Sequence, residues 1–253
     1  MKTIAAGRVV FWEGGGLWVV DVAPDAPSRN ETHAHHAFQL TFSLGGDFSL
    51  HLEDRVVPGP FAVVAPDAPH AFAARGLVAL LFVEPEGPAG RALTQLMAGE
   101  PAAVIGRERV QDAPELIAQA FAHPAEARGK LREVGQLICN RIAAHVRTVE
   151  PDRRVRQIIK WANDNLDRGL SIEQAADAVG LSPSRTSHLF VEQTGLPFRT
   201  YVLWLRLKRA VDAHKEGLDL TGAAQAAGFA DSAHLSRTFK RMFGLPAASL
   251  DLL

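Results

Sequence analysis

The sequence predicts a mixed fold: an antiparallel β-barrel or sandwich, then a helical connector, then an all-α domain. Three observations support this. The chain has 253 residues, which is enough for two cores. Before about residue 86, short apolar runs alternate with Gly, Pro and Asp, as in antiparallel β-proteins. After residue 87, apolar residues recur at spacings of three and four, which is typical of amphipathic helices.

The element boundaries follow from these patterns. Strand-length apolar runs lie at residues 9–12, 17–22, 38–44, 48–52, 61–65 and 77–83. The connector spans about residues 88–150, with helical spacing at 92–97, 114–122 and 125–146. Its last helix is long enough to pack on the barrel or against a second copy of the chain, so a homodimer stays open beside core packing. Pro151 separates two helical patterns, which predicts domains at 1–150 and 152–253.

Composition excludes several classes of protein. Hydrophobic residues make up 47% and charged residues 22%, which argues against wholesale disorder. A single cysteine, Cys139, excludes an intrachain disulfide and indicates a reducing compartment. No apolar run approaches the ~18 residues that cross a bilayer, and no secretion signal is evident. We therefore expect a cytoplasmic protein without a membrane partner.

The net charge of −1 hides an asymmetry between the two domains. Residues 152–253 hold 14 Lys and Arg against 11 Asp and Glu, a net charge of +3, which leaves −4 for residues 1–151. A mildly basic domain beside an acidic one is compatible with a nucleic-acid partner, although +3 is too small for strong non-specific DNA binding.

The basic domain contains an internal repeat with an offset of 48 to 49 residues. The recurring positions are Ala176, Gly180, Leu181, Phe190 and Gly195-Leu196-Pro197, which return as Ala224, Gly228, Phe229, Phe239 and Gly244-Leu245-Pro246. Each unit, at about 171–193 and 221–243, has a capped helix, a glycine turn and a second helix. Ser171 and Ser182 are the expected caps in the first unit, and Asp231 or Ser232 in the second. This order predicts two helix-turn-helix units.

These residues also carry a family resemblance. Residues 154–250 resemble the double helix-turn-helix domain of AraC/XylS-family transcription regulators, above all in AADAVGLSPSRTSHLF and GFADSAHLSRTFKRMFGLP. Thr186 departs from the family pattern, which has a core leucine there. The resemblance implies that two recognition helices enter successive major grooves of double-stranded DNA, with RNA polymerase as a further partner of an activator.

By position, the resemblance implies two groups of DNA-binding residues. The base-reading candidates are Ser184, Ser187, His188, Ser232, Ala233, His234 and Arg237. The candidates for phosphate contacts are Arg185, Arg199, Lys240 and Arg241. Arg237 is the best candidate for specificity, because arginine can form two hydrogen bonds with one guanine.

Seven of the ten histidines precede residue 152, and three stand in the string THAHHAFQL. If residues 32–40 form a strand, His33, His35 and Gln39 share one face and His36 takes the other. His70 follows a later apolar run. Three imidazoles and an amide oxygen could bind zinc, nickel or manganese, whereas the alternative is a hydrogen-bonded polar patch.

The same segment resembles a cupin barrel, the sensor domain of many AraC-type regulators. The matching features are His33, His35, Gln39, Pro58-Gly59 and His70. The resemblance implies a metal site in which Gln39 replaces a glutamate, so that one negative charge is missing. It also implies a pocket for a small-molecule effector in the barrel interior, for which the lining candidates are Phe38, Phe42, Phe61 and Phe72.

Together these features predict a sequence-specific DNA-binding transcriptional regulator, an activator as is common in the family, controlled by a ligand or metal in the N-terminal barrel. The connector from residue 125 to 151 is expected to couple the two domains. The alternative is a metal-dependent cupin enzyme, an isomerase or dioxygenase, with a helical domain attached. We favour a protein that is not an enzyme, because no paired general acid and base accompanies the histidines.

Overall fold

The computed structural model describes residues 4–26, 29–104, 107–123, 126–144 and 146–252. It divides into two compact units. The first contains the chain up to Thr148 together with Phe239–Leu253, and the second is Val149–Thr238. The sequence predicted Phe239–Leu253 as part of the second domain, whereas the structure places this segment in the first unit.

The first unit is built on one sheet. Its strands are β1 (Ala5–Trp12), β2 (Gly15–Val22), β3 (Phe38–Ser43), β4 (Asp47–His51), β5 (Val56–Pro58), β6 (Phe61–Val64), β7 (Ala71–Val83), β8 (Ala102–Ala103) and β9 (Leu250–Leu252). The strand order is β8-β6-β3-β7-β2-β1-β9, and β4 pairs with β5 and β7 beside this path. Neighbouring strands are antiparallel except β1 and β9, which are parallel.

The predicted antiparallel β-domain is thus confirmed, but a closed barrel is not. Among the described strands the order is an open path that ends at β8 and β9. Strand β9 was not expected, because its residues fall in the domain predicted to be all-α. It pairs with Ala5, Ala6 and Gly7 at the start of β1.

Both faces of this sheet are buried: one packs against helices and the other lines a cavity. Helices α1 (Pro88–Met97), α2 (Ala113–Phe121) and α3 (Ala127–Ala143) belong to the same unit. One face packs with these helices in the hydrophobic core, to which Leu17, Leu81 and Leu131 belong. On the opposite face, Trp18 and Leu80 line a cavity. Since successive side chains of a strand alternate between faces, β2 and β7 serve both faces at once.

Two sequence predictions for this unit need correction. The strand expected over residues 32–40 begins only at Phe38, and the preceding residues include one isolated bridge between His33 and His70. The helix expected over residues 125–146 is α3, which spans Ala127–Ala143. Ala125, the first residue of that prediction, lies outside the described residues.

The second unit is helical. Its elements are α4 (Arg153–Asp164), α5 (Ile172–Val179), α6 (Pro183–Thr194), α7 (Phe198–Lys215), α8 (Leu220–Ala226) and most of α9 (Ser232–Phe243). Asp152 caps α4 by accepting the Arg154 backbone N–H, so a helix starts where the sequence predicted a domain boundary. No helix in the described part of the chain has the length and hydropathy needed to cross a membrane.

Candidate nucleic-acid interface and histidine site

The first helix-turn-helix is formed by α5 and α6. Ser171 and Gln174 form a capping box at the start of α5, and Gly180 ends that helix with a φ of 66°. Ser182 then caps α6 by accepting the Arg185 backbone N–H. The predicted caps and turn of this unit are confirmed.

Helix α6 presents a polar face to solvent. Its exposed candidates are Ser184, Arg185, Ser187 and His188. Leu189 and Phe190 are buried on the opposite side. Thr186 is also buried, and its hydroxyl donates to the Ser182 carbonyl over 3.0 Å. This hydrogen bond satisfies the polar group that stands where the family has leucine.

The second unit, α8 and α9, repeats this arrangement. Of the two cap candidates, Asp231 acts as the cap, accepting the His234 backbone N–H over 2.6 Å. Ala233 and Arg237 are exposed or partly exposed, as are Ser232 and His234. Leu235 and Phe239 are buried. The start of α9 therefore offers side chains to a partner in the manner of α6.

The phosphate-contact candidates differ in their surroundings. Arg199 is exposed at the start of α7, and Arg241 is exposed in the last turn of α9. Lys240 is exposed too, but its Nζ lies 2.7 Å from Oε1 of Glu31. Both residues of that ion pair belong to the first unit.

The structure brings together three of the four candidate metal ligands in the first unit. One ligand atom from each of His33, His35 and His70 lies within 4.8 Å of the others, and all three residues are buried. The His33–His70 bridge holds two of them, with each backbone N–H donating to the other carbonyl over 2.9 Å.

Hydrogen bonds fix the tautomer of all three imidazoles. Nδ1 of His33, His35 and His70 lies 3.0, 2.9 and 2.9 Å from the carbonyl oxygens of Glu31, Ala37 and Ala68. A carbonyl oxygen only accepts, so in each neutral ring Nδ1 carries the proton and Nε2 keeps its lone pair. Nε2 of His70 is buried without a hydrogen-bond partner among the described residues.

The site keeps these rings neutral. Burial, followed by the neighbouring His70, lowers the pKa of His33 to about 4. Burial and the other two histidines lower the pKa of His35 well below its ordinary value, and burial lowers the pKa of His70. At neutral pH all three therefore have the protonation state that binds a metal.

Gln39 contacts the three-histidine cluster, whereas His36 pairs with a residue outside it. Oε1 of Gln39 lies 3.1 Å from Nε2 of His35, and its Nε2 donates to Thr41. An amide turned by 180° would instead donate to the His35 lone pair and accept from Thr41. His36 pairs with Glu86 over 3.0 Å, away from the three-histidine cluster.

An apolar cavity of about 510 Å³ lies on the face of the sheet that carries Trp18 and Leu80. His33 and Gln39 contribute to its lining. Its apolar walls include Trp18, Val20, Leu80 and Phe82 from the sheet and Phe243, Leu245 and Pro246 from the end of the chain. Trp18 Nε1 is buried without a hydrogen-bond partner among the described residues.

Of the aromatic residues expected to line a pocket, Phe72 lies in this cavity wall. Phe38, Phe42 and Phe61 belong to the core on the other face of the sheet. The sequence reasoning missed Trp18 and Phe82, for which alternation along the strands was the available signal. It also missed residues 243–246, because no local pattern connects them to the sheet.

Comparison with known proteins places the helix-turn-helix domain in a family. A family model described as a helix-turn-helix domain matches residues 175–250. The chain is 35% identical over 89 residues to YpdC, an HTH-type transcriptional regulator of Escherichia coli K12, covering 35% of this chain and 31% of YpdC. It is 39% identical over 95 residues to the transcriptional activator RhaS of Escherichia fergusonii, covering 37% and 34%.

The arabinose operon regulatory protein of Escherichia coli K12 is 32% identical over 113 residues, which cover 43% of this chain and 39% of that protein. The matched part thus spans about a third of the length of these relatives. They are regulators and not enzymes, so nothing in the comparisons supports the enzyme alternative.

Solved structures extend the similarity of fold to most of the chain. ToxT from Vibrio cholerae matches with a TM-score of 0.56 and 10% identity over 93% of this chain and 97% of ToxT. A second ToxT structure, from strain O395, gives a TM-score of 0.57 over 94% and 96%. With the repeated units and their caps, these findings show that residues 175–250 form a helix-turn-helix domain similar to those of RhaS and of the arabinose operon regulatory protein.

Proposed function

We propose that this protein is a sequence-specific, DNA-binding transcriptional regulator that responds to a small molecule or metal bound by its N-terminal unit. One observation carries the proposal: two equivalent, capped helices, α6 and α9, start with exposed or partly exposed polar side chains on a double helix-turn-helix domain. Such helices fit the major groove and read base edges with their first turns.

Activation is the proposed outcome of DNA binding, with RNA polymerase as the partner. Similarity to the transcriptional activator RhaS supports this direction. In vitro transcription from a promoter that carries the operator would show more transcript when the protein is added. Less transcript would identify a repressor instead.

A footprint on the DNA upstream of the protein's own gene tests DNA binding. We expect protection of two major-groove segments about one helical turn apart. A variant with Arg185 and Arg237 both replaced by alanine serves as the matched control, because it removes one arginine from each recognition helix. If neither the wild type nor this control protects any sequence, the proposal is contradicted.

The lining of the cavity indicates which chemical class of effector it would bind. Its walls are mostly apolar, and a 510 Å³ volume is within the range of small-molecule sites. Trp18 offers an indole N–H without a partner among the described residues. We infer that the effector is a largely apolar molecule with at least one hydrogen-bond acceptor. One ToxT structure was solved with an unsaturated fatty acid bound, but at 12% identity this likeness concerns the fold alone.

A metal ion on the three histidines is a second proposal for the same unit, which in that respect is cupin-like. Three neutral imidazoles, each held by a backbone carbonyl and each with a ligand atom within 4.8 Å of the other two, are what such an ion requires. The buried Nε2 of His70 would gain its missing partner. Because no carboxylate joins them, we expect zinc or nickel in preference to manganese.

Elemental analysis of protein purified without a polyhistidine tag tests the metal proposal. We expect about one equivalent of zinc or nickel, retained after dialysis and removed by a strong chelator. Protein that stays metal-free after incubation with both ions, while remaining folded, would contradict it.

A homodimer through α3 is the assembly we propose. Leu131 and Ile138 of this helix are buried in the unit's own core, whereas Leu137 is 40% exposed on another side. Light scattering of the wild type and a Leu137→Lys variant would test it: a monomeric wild type would contradict the proposal.

A further inference from the structure

Arg206, in the middle of helix α7, binds the loop that joins α4 to α5. Its Nη2 donates to the Arg168 carbonyl over 2.6 Å, and its Nε donates to the Leu166 carbonyl over 3.4 Å. The side chain is partly buried, and burial lowers the pKa of its guanidinium. Because a charged group withdrawn from water needs hydrogen-bond partners, these two carbonyls hold α7 against the loop that leads into the first helix-turn-helix unit.

The turn of the second helix-turn-helix unit lies against the same loop. Gly228, between α8 and α9, has a φ of 79°, and a Cβ there would clash with the Leu166 carbonyl oxygen and lie 3.0 Å from Nε of Arg206. The equivalent glycine of the first unit, Gly180, has a φ of 66°, but a Cβ added there would meet no described atom within 4 Å. Both glycines adopt the left-handed conformation, and only Gly228 also allows a close approach.

The same turn contacts a base-reading candidate of α9. Phe229, the residue after Gly228, is buried, and its ring centroid lies 5.2 Å from that of His234 in an edge-to-face arrangement. Contacts therefore run from the loop before the first unit, through Arg206 and the Gly228 turn, to the start of the second recognition helix. All of these residues belong to the helical unit Val149–Thr238.

These contacts connect the two helix-turn-helix units a second time. The first connection is α7 itself, which begins after Pro197 and ends shortly before Gly217. Hinge motions take place at such loop and helix-terminal residues, so α7 alone would let the units rotate about its two ends. The contacts of Arg206 and Gly228 lie between those ends and oppose this rotation.

DNA geometry gives such a restraint a consequence. Successive major-groove segments on one side of B-DNA lie one helical turn apart, at about 34 Å. One added base pair moves the second segment by about 3.4 Å and rotates it by about 35°. Two recognition helices held at a fixed distance and angle cannot follow that change, so both of them fit the DNA at one spacing only.

We propose that Arg206 is a positioning residue for DNA recognition: together with the Leu166 and Arg168 carbonyls and the Gly228 turn, it forms a brace that holds the two recognition helices at one spacing. The protein then selects an operator by the distance between its two half-sites as well as by their bases. This inference rests on the proposed function and adds a determinant of specificity that does not touch the DNA.

A charge-matched pair of variants tests the brace at Arg206. Full-length protein is titrated with the operator found by the footprint and with duplexes that carry one base pair more or one fewer between the two protected segments. We expect the wild type to bind both altered duplexes at least about fivefold more weakly, as for a mismatched base pair. In Arg206→Gln, which cannot reproduce both hydrogen bonds, the difference should shrink to less than about twofold.

Arg209→Gln is the control, because it removes the same charge from an exposed residue of α7. Loss of a phosphate contact there would weaken binding to every duplex equally, so the ratio of affinities between the two spacings should stay at the wild-type value. An unchanged ratio in Arg206→Gln would overturn the brace.

A glycine pair tests the close approach with a second kind of variant. Gly228→Ala and Gly180→Ala introduce strain in the same left-handed conformation, but only the former adds a clash with the Leu166 carbonyl. Circular dichroism confirms that each variant is folded. We expect Gly228→Ala to lose the spacing preference and Gly180→Ala to keep the wild-type ratio. A folded Gly228→Ala protein with the wild-type ratio would overturn the brace.

The wild type separates the brace from the proposed function. Binding to the operator with equal affinity for all three spacings would overturn the brace and leave the DNA-binding function standing. Absence of binding to every duplex by the wild type would overturn the proposed function, and the brace with it.

Discussion

His33 and His70 hold each other through both backbone and ring: their peptide groups exchange two 2.9 Å hydrogen bonds, and their ring centroids lie 4.3 Å apart. Residues far apart in sequence thus become a fixed pair of candidate ligands, to which His35 adds a third. A site assembled in this way loses little conformational entropy when an ion binds.

We expect His70→Gln to weaken zinc binding by more than a hundredfold, because loss of a direct ligand should exceed the roughly 10- to 100-fold effect typical of outer-shell partners. Competition with a chromogenic chelator measures the affinity. His123→Gln, a change at an exposed histidine outside the cluster, is the control and should retain wild-type affinity. Equal affinities for the two variants would show that zinc binds elsewhere.

Acid should destabilise the metal-free protein before most carboxylates titrate. The pKa of His33 is lowered to about 4, and those of His35 and His70 are also lowered, so below pH 6.5 the unfolded chain binds protons that the folded chain does not. The free energy of unfolding should fall from pH 7 to pH 5, by up to about 1.4 kcal/mol per pH unit for each histidine. Urea unfolding after chelator treatment measures it, and His33→Gln should show a shallower decrease. A flat profile would be inconsistent with neutral buried rings.

Arg237→Ala should relax specificity at a single base pair of the operator. An arginine that forms two hydrogen bonds with guanine discriminates by about 1–3 kcal/mol, and Arg237 lies on the solvent side of α9. Binding to a panel of operators with single substitutions measures this. Equal loss of affinity for every sequence would mean instead that Arg237 contacts phosphate, as expected for Arg199→Ala.

Filling the cavity should prevent binding of an apolar probe. Ala74 lines the cavity, and its neighbour Ala73 in β7 points to the opposite side of the strand. We expect the fluorescence of an anilinonaphthalene dye to rise with the wild type and with Ala73→Phe, and to lose most of that rise with Ala74→Phe. Unchanged dye binding by Ala74→Phe would place the dye outside this cavity.

Local signals in the sequence were sufficient for the helix-turn-helix domain. The caps at Ser171 and Ser182 and the turn at Gly180 depend on neighbouring residues, so their roles follow from type and spacing. Alternation in the β-domain divides residues into two sets, but it does not say which set faces the helices. Phe42 was therefore expected in the pocket and lies in the core. The contacts of residues 239–246 could not be predicted from a local pattern, because their partners are far away in sequence. Phe243, for example, contacts Asn30 and Trp18.

The parallel pairing of β1 with β9 bears on biosynthesis. β1 is made first, yet its partner along Ala5, Ala6 and Gly7 is translated only after both helix-turn-helix units. During synthesis, that edge of the nascent sheet stays open to other chains, and unpaired strand edges are sites of aggregation. Ribosome-bound intermediates that end before residue 250 should therefore depend more on chaperones than the released protein.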